Sequence, residues 1–227
     1  MVLLNLDMLM SEPLEFLKLL ACILPVMLLS LTLHEWGHAF AAHSCGDDTA
    51  KNFGRMTLNP LKHIDPIGFL MILIVGFGWA KPVPVNPRNY RIYKKGEAIV
   101  SLAGVAMNLL LAIVFSAAFV PLFRMYVLGS HSWLENGLLI KIIMYGVSLN
   151  IILMLFNLLP VYPLDGYHIF ELLFARRIPM NVFIFIRRYG QYILIGMLIL
   201  FRVIDFHPIS HLTSWYLGKL INLAMHI

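Results

Sequence analysis

The sequence predicts an all-α membrane protein, a polytopic transmembrane helix bundle with a short re-entrant or extended segment set against its ionisable centre. Three observations predict it. Of the 227 residues, 60% are hydrophobic and 13% charged, and mean hydropathy is +0.81, which leaves too little polar surface for a soluble domain of this length. The apolar residues gather into runs long enough to cross a hydrocarbon core of roughly 30 Å. Finally, the Lys and Arg residues behind the net charge of +5 lie between those runs and form no single patch. That pattern is topological, so membrane lipids are expected as surroundings and no nucleic acid as a partner. The length suits one membrane-embedded domain over 1–227, with a core of about 14–190 and a C-terminal amphipathic or transmembrane tail of about 205–227. Oligomeric state is not legible.

The first span runs from Leu14 to Ala42, with Pro25 as an expected kink. No basic leader or cleavage site precedes it, so it is expected to stay in the mature chain. Residues 43–63 form a polar, turn-rich loop in which Asp47 and Asp48, after Gly46, read as solvated charges. Ile67 to Ala80 is fourteen residues of apolar chain. As a helix it would reach only about 21 Å, so a re-entrant segment is predicted. Lys81-Pro-Val-Pro-Val-Asn-Pro87 cannot be helical and suits an extended edge strand. Ala98 to Phe123 and Gly137 to Leu159 are further spans, joined by a turn over 124–136. Tyr167 to Ala175 is a short helix, Tyr189 to Ile204 a weaker span, and 207–227 a tail that lies on the surface or crosses again. Cys22 and Cys45 have neither metal nor disulfide spacing and read as reduced and structural.

Loops 43–63, 81–97 and 171–188 hold twelve of the seventeen basic residues. The positive-inside rule places all three in the cytosol. The C-terminal ends of the first and third spans then face the same side.

At the end of the first span stands His34-Glu-Trp-Gly-His38, an H-E-x-x-H pattern. On a helix, residues four apart lie one above the other, so His34 and His38 can offer two imidazoles to one metal with Glu35 beside them as a base. A carboxylate in a spanning helix costs about 2.5–3.5 kcal/mol on insertion scales and needs a partner or a task. His43 lies off this face, and Ser44 stands where a longer H-E-x-x-H-x-x-G-x-x-H pattern would supply a third histidine. The third ligand must come from elsewhere. Asp165 is best placed, since Pro160 and Pro163 end the third span and free its carboxylate to turn inward. Asp65, beside the re-entrant segment, is the rival; His63 and His168 are further candidates.

These two stretches resemble the motifs of the site-2 protease family of intramembrane zinc metalloproteases: His34-Glu-Trp-Gly-His38, and Asn157-Leu-Leu-Pro-Val-Tyr-Pro-Leu-Asp165-Gly166. The resemblance covers roughly residues 14–190. It implies one Zn2+ per chain, held by His34, His38 and Asp165. Glu35 would be the catalytic base, Asn157 a catalytic residue steadying the oxyanion or substrate backbone, and Asn108 a substrate contact. Two departures stand out: Val105 follows Gly104 where the family often has Pro, and Tyr167 follows Gly166 where it often has Gly. No PDZ or CBS segment is expected. The implied function is hydrolysis of peptide bonds within or near transmembrane segments of membrane-protein substrates, in a multi-pass protein of a bacterial or archaeal cell membrane whose active site faces the cytosol. A membrane metal transporter or zinc sensor, or an inactive scaffold of the same fold, stays open as the alternative.

Overall fold

The computed structural model describes residues 11–75, 78–129 and 137–226. Helix α1 covers Pro13–Cys45, α2 Thr49–Asn52, α3 Pro66–Val75, α4 Tyr93–Val127, α5 Leu138–Asn157, α6 Asp165–Phe174, α7 Met180–Val203 and α8 Pro208–His226. Among the described residues four helices, α1, α4, α5 and α7, are long and apolar enough to cross a membrane, and no strand is present. The protein is an integral membrane protein built on a helix bundle.

Helix α1 buries Ile23, Met27, Ser30, His34, Gly37 and Ala41. Their spacing of four and three makes one stripe, and that stripe packs against α4 and α5. Gly37 lies against Ala103 and Met107 of α4; a Cβ there would come 2.7 Å from Met107 Cγ and 3.0 Å from the Ala103 carbonyl. Without hydrophobic drive between helices in lipid, such small residues are what let two backbones approach. Farther along, Phe119 of α4, Ile140, Ile143 and Val147 of α5, and Leu220 of α8 share one core cluster.

The C-terminal tail is therefore part of the bundle and not a surface strap. Its Tyr216 hydroxyl also reaches Ser116 Oγ at 3.2 Å. Helix α7 starts well before the predicted Tyr189, which puts Arg187 and Arg188 on a helix instead of in a loop. Arg187 is held there by a two-pronged pair with Glu171 of α6, at 2.7 and 2.6 Å, and by the Tyr167 hydroxyl at 3.0 Å.

Of the predicted re-entrant segment, Ile67 to Ala80, residues 76–77 lie outside the described residues, and the rest shows how its ends are arranged. Helix α3 is 10 residues long, Ile64 and Ala80 form an antiparallel bridge, and the Lys81 N–H donates to the His63 carbonyl at 2.8 Å. Its two ends therefore meet. The predicted edge strand after it is extended but forms no ladder. Pro82, Pro84 and Pro87 have no N–H to offer, and those of Lys81, Val83 and Asn86 go to His63, Glu35 and Asp47.

Asp47 corrects a second expectation. It is fully buried, not solvated. Its carboxylate accepts from the Asn86 N–H at 2.6 Å, the Asn89 amide at 2.8 Å, the Thr49 N–H at 3.1 Å and the Thr49 hydroxyl. Burial works to raise its pKa, but these four bonds outweigh that and hold the carboxyl below its ordinary range. One side chain thus ties the end of α1 to the far end of the extended segment.

Candidate metal centre

His34 and His38 stand one turn apart on α1, their Nε2 atoms 3.1 Å from each other. Asp165 arrives from the first turn of α6, with Oδ2 3.5 Å from His34 Nε2 and Oδ1 3.4 Å from His38 Nε2. One ligand atom from each of the three residues falls within 4.8 Å of the others. The carboxylate can reach the histidines because the chain breaks at Pro160 and restarts as a helix at Asp165. Gly166 makes the restart possible: a Cβ there would overlap the Leu158 and Leu159 carbonyls at the end of α5.

The histidines are oriented from behind. Gly146 O is a carbonyl and can only accept, so it receives Asn150 Nδ2 at 2.8 Å, and the same nitrogen donates to Ser30 Oγ at 2.9 Å. Asn150 Oδ1 must then accept, and it does so from Asn108 Nδ2 at 3.1 Å. Asn108 Oδ1 is left to accept from His34 Nδ1 at 2.8 Å. His38 Nδ1 donates in the same way to the Val100 carbonyl at 2.8 Å. Both rings therefore carry the proton on Nδ1 and aim the Nε2 lone pair at the other ring and at Asp165. Two lone pairs at 3.1 Å repel, and Asp165 Oδ2 is buried without a hydrogen-bond partner. A cation between the three groups satisfies all of them, and the set of two imidazoles and a carboxylate suits a borderline metal.

Gly104 lies directly against this centre. A Cβ there would overlap His38 Nε2 and come 2.7 Å from His34 Nε2. Sequence reading singled out Gly104 for its place before Val105, but its proximity to both rings is a tertiary fact.

Glu35 is not among the converging ligands. It lines the adjacent cleft, and its Oε2 accepts from the Val83 N–H at 2.8 Å. The cleft has a volume of about 920 Å³ and is walled by α1, the extended segment, the start of α4, the end of α5, the start of α6 and part of α7. Asn157 lines it too, its Nδ2 bonded to the Leu153 carbonyl at 3.0 Å. Asn108 is corrected: it is fully buried, absent from the cleft wall, and committed to His34 and Asn150. It stands behind the His34 ring, out of the cleft.

The rival ligands fall elsewhere. Asp65 lines the cleft, but its Oδ1 accepts from the Gly68 N–H at 2.8 Å and caps α3. His63 is buried with Nε2 2.8 Å from the Thr57 carbonyl, and His168 pairs with Glu97. None of them joins the three-residue group.

Comparisons with known proteins agree with this picture. Residues 122–201 match the sequence model of peptidase family M50, a stretch that takes in Asn157 and Asp165 but not His34. The chain is 43% identical over 157 residues to "Putative zinc metalloprotease YwhC" of Bacillus subtilis (strain 168), covering 68% of this chain and 70% of that protein. It is 33% identical over 165 residues to "Putative zinc metalloprotease Rip2" of Mycolicibacterium smegmatis, covering 70% of this chain and 60% of that one. The protein of the same name from Mycobacterium tuberculosis is 32% identical over 164 residues, with the same coverage. No solved structure matches the chain.

Proposed function

Because this chain belongs to peptidase family M50, the site-2 protease family, we propose that it is a zinc metalloprotease that hydrolyses peptide bonds within or near transmembrane segments of membrane proteins. The observation that carries this reading is the convergence of His34, His38 and Asp165 beside a carboxylate, Glu35, that is held off the ligand positions. A zinc ion on these three residues would supply Lewis-acid polarisation of the scissile carbonyl and of water.

The protein groups do the rest. Glu35 Oε2 is engaged by Val83, which leaves Oε1 to take a proton from the attacking water. As the water oxygen bonds to the carbonyl carbon and the C–N bond breaks, Glu35 returns that proton to the amine nitrogen. Asn157, on the cleft wall, has an amide to donate to the developing oxyanion. Leu153, Phe156 and Leu194 give the cleft an apolar lining suited to the side chains of a membrane segment. A helical substrate must first unwind, since its carbonyls are locked in i to i−4 bonds. It cannot be held by a full β-ladder here, because the extended segment has no free N–H at Pro82, Val83 or Pro84.

All three ligands lie at one depth, whereas a transporter needs a relay of ligands across the bilayer. The experiment is metal analysis and cleavage on purified protein with Glu35→Gln alongside. One zinc per chain in both, with cleavage abolished only in the variant and by chelation of the wild type, is expected; wild-type turnover in zinc-loaded Glu35→Gln would sink the reading. The basic loops support an active site that opens toward the cytosol. With Cys22 and Cys45 replaced, single cysteines at the exposed positions Asn52 and Arg177 should both react with an impermeant reagent from the cytosol only.

A further inference from the structure

Across the same cleft stands a second ionisable pair that metal binding leaves unused. His168 Nδ1 lies 2.9 Å from Glu97 Oε1, and both residues line the cleft that holds His34, Glu35, His38 and Asp165. The Glu97 side chain is 12% exposed and that of His168 35%, so the carboxylate is the sheltered partner and the imidazole the one that meets the cleft. Among the described residues His168 is the one basic side chain paired with Glu97.

The helices fix where this pair stands. His168 is three residues after Asp165 on α6, so the two share a face about one turn apart. Glu97 is three residues before Val100 on α4, whose carbonyl holds His38. Each member is thus one turn from a residue that builds the metal centre, and the pair joins α6 to α4 in the cleft lining. With Nδ1 turned to Glu97, Nε2 is on the opposite edge of the ring. Besides the Glu97 pair, His168 makes one ring contact among the described residues, with Tyr167 edge-on at 5.5 Å. In its doubly protonated form the imidazole donates Nδ1–H to the sheltered Glu97 carboxylate and has Nε2–H left for a further acceptor.

We propose that His168, held by Glu97, is a further catalytic residue that donates a hydrogen bond from Nε2 to the scissile carbonyl oxygen as negative charge develops on it. This rests on the peptidase reading and names a second group at the same reacting atom. The step moves no additional proton: water's oxygen adds to the carbonyl, Glu35 carries the proton to the leaving amine, and His168 keeps its own. A donor aimed at charge that exists only in the transition state changes turnover more than substrate binding.

The test is binding to the zinc-loaded full chain in detergent of two probes with one sequence, a phosphinic dileucine pseudopeptide and the matching dileucine amide, the latter measured in Glu35→Gln so that it survives. His168→Ala should weaken the tetrahedral phosphinate roughly a hundredfold and leave the planar amide unchanged. His168→Gln, whose amide N–H reaches as far as Nε2, should recover most of the loss, and Glu97→Gln should weaken the phosphinate with zinc content unaltered. Equal losses on both probes, no loss on the phosphinate, or failure of the wild type to prefer the phosphinate would each overturn the proposal. If His168→Ala does not fold, Glu97→Gln and His168→Gln carry the same comparison. Loss of the peptidase reading shows separately, as unchanged cleavage of labelled casein in zinc-loaded Glu35→Gln.

Discussion

Asn108 Oδ1 lies 2.8 Å from His34 Nδ1, and that contact decides which imidazole nitrogen faces the metal position. Replacing Asn108 by Ala leaves the ring free to rotate and to change tautomer. Zinc affinity should fall about ten- to a hundredfold, measured by competition with a chelating dye. Asn108→Asp keeps an acceptor in place and should lose less; equal losses in the two variants would show that His34 is oriented by something else.

Asp165 and Asp65 both reach the cleft, yet only Asp165 stands with the histidines. Asp165→Ala should lower zinc occupancy at least about tenfold. Asp65→Ala should leave occupancy intact and cost about 1 kcal/mol through loss of the α3 cap. Occupancy read by atomic spectroscopy on the two purified variants checks this, and the reverse order would move the third ligand.

A methyl group at Gly104 would occupy the space of the His34 and His38 ring edges. Gly104→Ala should therefore abolish metal binding while the helices persist by circular dichroism. Gly218→Ala on α8 is the matched control, since nothing lies within 4 Å of a Cβ there. It should be neutral or stabilising by about 0.5–1 kcal/mol.

Asp47 titrates below its ordinary value near 3.8 in the folded protein. The sign follows from linkage: its stabilisation is fully present above that value and is lost as pH falls through the lower folded pKa. Acid should release residues 86–89 from the end of α1 before the bundle melts. Hydrogen exchange at the Asn86 amide, slow near neutral pH and relatively faster in acid, measures it. Asp47→Asn should remove the acid dependence; its survival in that variant would point to another group.

The converging group of His34, His38 and Asp165 was legible because its chemistry is local. His34 and His38 are one helical turn apart, and Asp165 follows two prolines that must end a helix. Other features depend on residues distant in sequence. Asn108 lies 74 positions from His34, and Asn150 lies 120 from Ser30, so nothing near Asn108 distinguishes a ligand's support from a substrate contact. Asp47 follows a glycine in a polar turn and reads as solvated; its burial is created by Asn86 and Asn89, 39 and 42 positions away. The amphipathic α8 was ambiguous because the positions it fills on α4 and α5 exist only once those helices have paired.

The chain of amides from Gly146 through Asn150 and Asn108 to His34 also bears on the protein's synthesis. A ribosome that has delivered α1 and α4 has delivered both histidines and the glutamate, but Asn150 is still to come and Asp165 lies beyond the next span. Until α5 has entered and docked, nothing fixes the polarity of the Asn108 amide, and the carboxylate ligand is absent. A nascent chain at that stage carries the complete H-E-x-x-H motif without the carboxylate that joins it in the folded bundle.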